Sequence, residues 1–89
     1  MFVALIAKDK SDHLQVRTTN CSAHIEYLKS IKQISQAGPL LSQDAQMIGS
    51  LIILDVANIE EVKDWVAHDP YAKAGLFESV DLIPWNKVI

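Results

Sequence analysis

Cysteine occurs once in the 89 residues, at Cys21, so no disulfide can form within the chain and a structural zinc site lacks its usual thiolates. Arginine also occurs once, at Arg17. Lys plus Arg number 8 against 11 Asp plus Glu, a formal net charge of −3. Nucleic-acid binding needs clustered positive charge, so no nucleic acid is expected as partner, and a guanidinium clamp on a phosphate is not expected either. Glycine is scarce, and neither a Gly-rich phosphate loop nor a nucleophile elbow occurs. The longest apolar run, Met1 to Ala7, falls far short of the roughly 20 residues that span a bilayer, so no membrane partner is expected. It also lacks the basic start of a signal peptide. What remains is ordinary for a globular protein: 49% apolar and 21% charged residues. The expectation is one soluble, reduced, cytoplasmic domain over residues 1–89. Its buried fraction would be marginal for a monomer, which points to oligomerisation.

Hydrophobic periodicity divides the chain. Phe2 to Ala7 reads as a strand apolar on both faces, hence central in its sheet. His13 to Asn20 is polar and reads as loop, with Thr18, Thr19 and Asn20 as possible helix caps. Cys21, Ile25, Leu28 and Ile31 follow at helical spacing, predicting an amphipathic helix of about three turns. Ile34 to Leu41 reads as a weak strand, placed at an edge or bulged by Pro39. Met47 to Val56 is the strongest strand, and its Leu51 to Leu54 is again apolar on both faces. Asn58 caps a second helix in a box-like Asn58-x-x-Glu61, with Ile59, Val62, Trp65, Val66 and Asp69 along one stripe. Val80, Leu82 and Ile83 form the last strand, with Pro84 marking an edge.

The order strand, helix, strand, strand, helix, strand predicts an α+β, ferredoxin-like βαββαβ fold. It has an antiparallel four-stranded sheet with two helices on one face. Two helices cover one face only. Phe2, Ala4 and Ile6 point opposite to Val3, Leu5 and Ala7, and both sets are apolar. The uncovered face predicts a homodimer packed sheet on sheet; a ligand-lined open face is the alternative.

Two residues stand out chemically. His24 flanks the stripe of the first helix and can serve as acid or base near neutral pH, or simply bond to backbone. Asp69 lies in line with the core stripe of the second helix, where a carboxylate needs a partner. It also precedes Pro70, the pattern of an N-cap for a short helix through Ala74. Asp44, in the turn after Gly38-Pro39, reads as a solvated turn former. His13 and His68 have no partner at metal-ligand spacing, so neither a metal nor any other cofactor is expected. Ser22 and His24 are two apart and do not face each other on a helix. Trp65 and Trp85 read as core and interface residues.

Several segments together resemble the YciI-like, or YCII-related, family. They are Ala7-Lys-Asp-Lys10 closing the first strand, Ala23-His24-Ile25, Ala37-Gly38-Pro39, Gly49-Ser50, Trp65, Asp69-Pro-Tyr-Ala-Lys-Ala-Gly75 and Pro84-Trp85. They span nearly the whole chain, and Asp-Pro-Tyr-x-x-x-Gly is the most specific. The resemblance implies a dimeric α/β barrel in which His24 and Asp69 form a catalytic pair. It implies Asp44, Gly38, Pro39 and Tyr71 as substrate-binding residues. Muconolactone isomerase shares this barrel, and a YciI-like dehydrochlorinase acts on a chlorinated hydroxyquinol. Two differences from the family pattern bear on function. Cys21 stands where many members carry an arginine, and the stretch from His24 to Gly38 is shorter. The expectation is therefore a cofactor-free isomerase or lyase acting by proton transfer on a small cyclic or aromatic molecule. The alternative is a non-catalytic small-ligand-binding or accessory dimer of the same fold.

Overall fold

The computed structural model describes residues 1–89. In chain order the elements are β1 (Phe2–Asp9), α1 (Leu14–Lys29), β2 (Ile34–Leu41), β3 (Met47–Asp55), α2 (Ile59–Ala67), α3 (Pro70–Lys73) and β4 (Phe77–Trp85). The sheet order is β2-β3-β1-β4, every pair antiparallel. This is the ferredoxin-like arrangement. β1 and β3, the two strands apolar on both faces, occupy the centre, where both edges are paired with neighbouring strands. Pro39 and Pro84 sit in the edge strands β2 and β4, which can tolerate a missing ladder donor.

Side chains alternate across β1. Val3, Leu5 and Ala7 are fully buried under the helices with Ile52, Leu54, Val56 and Val62. Each such large side chain contributes about 1.5–3 kcal/mol by leaving water. The opposite set looks outward. Ile6 pairs with Leu51, Ala4 with Ile53 and Ile83, and Phe2 with Trp85. Leu51, Ile83 and Trp85 remain exposed on that face, and the Phe2 and Trp85 rings meet edge to face.

The first helix differs from the expectation. His13 to Asn20 is not loop: α1 starts at Leu14, so Thr18, Thr19 and Asn20 are interior helical residues rather than caps. Thr18 and Asn20 donate to carbonyls of the preceding turn, Gln15 and Val16. Ile31 lies beyond the helix end, and Ile25 is 42% exposed. The buried residues of α1 are instead Arg17 and His24, so its inward stripe is polar, which apolar periodicity could not reveal.

α2 follows its sequence closely. Asn58 Oδ1 accepts from the Glu61 N–H, and Glu61 reaches back to the Ala57 N–H. Asp69 lies past its end and caps α3, with Pro70 at the first position. Gly75 then takes φ +73°, the left-handed conformation that glycine adopts without strain. Its N–H bonds to the Ala72 carbonyl and that of Leu76 to Tyr71, closing α3 in a Schellman motif. Gly49 meets a different demand. A Cβ there would collide with the Ala7 carbonyl, so the close approach of β3 to β1 beside Ser50 requires glycine.

Candidate active site

One stripe of α1 carries Arg17, Cys21, His24 and Leu28, separated by four, three and four residues, and therefore on one helix face. It looks onto the sheet where Ser50 of β3 projects, with Tyr71 of α3 completing the wall and Asp9, at the end of β1, bonded behind Arg17. Between them lies a cleft of about 190 Å³, lined on its polar side by Arg17, Cys21, His24, Ser50 and Tyr71. Ile25, Leu28, Pro39, Met47 and Ile52 supply apolar walls. A cavity of ~150 Å³ accepts one benzene molecule, so the space suits a single six-membered ring.

His24 and Asp69, which lie 45 residues apart, are brought together. His24 Nδ1 donates to Asp69 Oδ1 at 2.9 Å, with Oδ2 at 3.1 Å. The carboxylate is completely buried and also accepts the Tyr71 N–H at 2.9 Å. Burying a carboxylate is costly unless its lone pairs are taken up, and here two elements supply the donors. As an acceptor, Asp69 fixes the ring proton on Nδ1 and leaves Nε2 with its lone pair. Nε2 has no hydrogen-bond partner within the protein, and His24 lines the cleft. The Tyr71 ring stacks on the imidazole with centroids 3.9 Å apart.

Tyr71 is almost wholly buried. Burial pushes its phenol well above the usual value, Cys21 raises it further by hydrogen bonding, and the Arg17 charge acts the other way. The phenol therefore stays protonated across the physiological range.

Arg17 is the residue the sequence did not reveal. Its side chain is 3% exposed. Nε and Nη2 donate to the two carboxylate oxygens of Asp9 at 2.6 and 2.9 Å, and Nη2 also donates to Ser50 Oγ at 2.9 Å. Its guanidinium lies 4.6 Å from the Tyr71 ring centroid. Burial disfavours its charge, but Asp9 more than compensates and holds its pKa above the ordinary value. The helical spacing to Cys21 and His24 was the available signal. The polar run His13 to Asn20 hides it, because without apolar periodicity the segment reads as loop.

The other candidates divide. Gly38, Pro39 and Tyr71 line the cleft. Asp44 does not reach it: it sits exposed in the β2–β3 turn, where Ser42 Oγ donates to its carboxylate and lowers its pKa. A turn carboxylate satisfied by its own neighbour has no reason to turn inward. His13 and His68 are bonded to the nearby Ser11 and Asp64 carbonyls, outside the cleft. No helix is long and apolar enough to cross a membrane.

Comparison with known proteins gives a consistent result. The YCII-related domain is matched over residues 1–86. Protein YciI of Escherichia coli O6:H1 is 31% identical over 97 aligned positions, covering 99% of both chains. An uncharacterized protein of Haemophilus influenzae matches at the same identity and coverage. Among solved structures, 5-chloro-2-hydroxyhydroquinone dehydrochlorinase from Burkholderia phenoliruptrix AC1100, in complex with 2,5-dihydroxybenzoquinone, superimposes with a TM-score of 0.89. It is 36% identical, over 97% of this chain and 94% of that one.

Proposed function

The chain belongs to the YCII-related domain family, and on that basis we propose that it is a small acid–base enzyme, a lyase or isomerase, acting on an oxygenated cyclic or aromatic molecule. The observation that carries this reading is the Asp69–His24 hydrogen bond, which leaves Nε2 free beside a ring-sized cleft. His24 Nε2 takes a proton from a carbon next to a carbonyl. The electron pair of the broken C–H bond moves toward the carbonyl oxygen or expels a leaving group such as chloride. Asp69 stabilises the imidazolium so formed and holds its plane. The dehydrochlorinase and its quinone ligand support a substrate of this size and oxygenation.

The case for a non-catalytic accessory dimer rested on Cys21 in place of an arginine. Arg17, one turn earlier, brings a guanidinium to the same cleft and weakens that case. Assembly is part of the proposal: a second copy covers the face carrying Phe2, Ile6, Leu51, Ile83 and Trp85, giving a homodimer. The single, unpaired Cys21 suits a reducing cytoplasmic compartment.

Proton exchange tests the chemistry. Chlorinated and hydroxylated ring compounds incubated with enzyme in deuterated water should lose hydrogen or chloride, followed by NMR and chloride release. His24→Asn should slow this by about 10²–10⁴-fold. Asp69→Asn should shift the imidazole proton from Nδ1 toward Nε2, read from long-range nitrogen spectra. Turnover that survives His24→Asn unchanged would remove the acid–base reading.

A further inference from the structure

Five polar residues line the cleft, and their exposure divides them. Arg17, His24, Ser50 and Tyr71 are buried, whereas Cys21 is only half-buried and is the most accessible of them. Cys21 lies three residues before His24, so the two side chains are neighbours on one face of α1. Tyr71 touches both. Its ring stacks on the imidazole with centroids 3.9 Å apart; burial chiefly, and hydrogen bonding with Cys21, raise its phenol. A thiol by itself is a small, weakly polar side chain in a wall. Here a second group points to a ligand. His24 is 6% exposed and lines the same cleft, its Nδ1 is tied to Asp69, and its Nε2 has no hydrogen-bond partner. An imidazole nitrogen with a free lone pair beside a thiol is the pairing that activates cysteine nucleophiles. The chain has no second cysteine, so a reaction partner for this sulfur has to come from outside it.

We propose that Cys21 is a covalent acceptor site for quinones: Sγ bonds to a carbon of an electron-poor ring seated in the cleft, and His24 Nε2 takes the thiol proton. This rests on the acid–base reading above and extends it to the oxidation state of the ring, since an oxygenated aromatic ring and its quinone have nearly the same size. The Sγ–H proton passes to Nε2, and a sulfur lone pair forms the S–C bond at a ring carbon conjugated to a carbonyl. The π pair of that C=C bond moves toward the carbonyl oxygen, which takes the proton from the imidazolium. The substituted carbon then loses its hydrogen as a proton, the second carbonyl oxygen gains one, and the ring becomes aromatic. One thiol and one quinone give one hydroquinone thioether. Every atom is kept. The quinone is reduced by two electrons, the sulfur supplies them, and no other oxidant or reductant takes part.

The probe is 1,4-benzoquinone near neutral pH, with N-acetylcysteine as the unassisted thiol. The intact chain should gain the mass of one quinone, peptide mapping should place it on Cys21, and Cys21→Ser should remove it. The rate should saturate with quinone concentration, because binding precedes bond formation. At low concentration it should exceed that of N-acetylcysteine by about tenfold or more, and His24→Asn should remove most of that advantage. Wild type unfolded in urea should react like N-acetylcysteine, which tests the cleft without any variant. If His24→Asn fails to fold, the saturation and urea comparisons on wild type decide instead. No adduct on Cys21, a rate that stays linear in quinone and matches the free thiol, or an advantage that survives in urea or in folded His24→Asn each overturns the proposal. The two readings fail separately. Proton exchange lost in His24→Asn, with wild-type Cys21 no faster than free thiol, keeps the acid–base reading and overturns this one. Saturable, accelerated labelling of Cys21, with proton exchange unaffected by His24→Asn, removes the acid–base reading and keeps this site.

Discussion

Helices α1 and α2 lie on the same face of one sheet and are held there by different chemistry. α2 buries Val62 completely and leans Ile59, Trp65 and Val66 on the apolar core. α1 buries an arginine and a histidine, each bonded to a carboxylate from another element. Apolar contact is non-directional and tolerates small shifts. A hydrogen-bonded ion pair does not, because each missing partner leaves a charge stranded out of water. The apolar half therefore mainly supplies stability, and the polar half mainly supplies position. Tyr27 joins the two halves: its ring stacks on Trp65, and its hydroxyl donates to the Trp65 carbonyl at 2.6 Å.

Substitutions can break or sharpen that contrast. The largest effect is expected at Arg17. Arg17→Leu strands Asp9, whose side chain is 7% exposed, and should cost about 3–5 kcal/mol in denaturant unfolding. Adding Asp9→Leu should recover much of the loss, because two apolar side chains need no partners. An additive double variant would show that the pair is not the source. Next comes Trp65→Ala, which empties the apolar half and should cost roughly 3 kcal/mol, with no rescue by any single second change. A loss below about 1 kcal/mol would show that the stripe of α2 contributes little.

The smallest effect is a pH dependence. Burial, and secondarily the Asp69 charge, raises the Tyr27 phenol; Tyr71 is raised further, chiefly by burial. A phenol held above its ordinary value stays protonated in the folded chain while the unfolded chain ionises. Unfolding then releases a proton, so stability is level below about pH 10 and falls as pH rises above it. Tyr71→Phe should flatten that alkaline decline more than Tyr27→Phe, measured by urea unfolding at a series of pH values. Equal slopes in all three proteins would mean that neither phenol is linked to folding.

Much of this was legible in the residues. The two-sided apolarity of Phe2–Ala7 and Leu51–Leu54 placed β1 and β3 at the centre, and Pro39 and Pro84 marked the edges. Asp69 before Pro70 announced a cap, and that cap is present. The first half of α1 was not legible, because its inward residue is Arg17. What makes Arg17 an interior residue is Asp9 on β1 and Ser50 on β3, and neither lies within the helix. For the same reason Ile25 looked like core and is exposed, while His24 looked peripheral and is buried. Asp44 sits where its local sequence suggests, in an exposed turn with its carboxylate bonded by Ser42.

Asp69 fixes the imidazole of His24 and begins the turn that carries Tyr71. A change at Asp69 that releases the imidazole therefore also loosens the segment that floors the cleft, so the two cannot be varied separately. Ile25 and Met47 border the same cleft and make no side-chain hydrogen bonds to the scaffold. They are the natural dials for substrate preference, for a designer as for a lineage. If the cleft takes a substrate as proposed, variation in what it accepts should accumulate there, while the His24–Asp69 pair stays locked to the architecture that folds it.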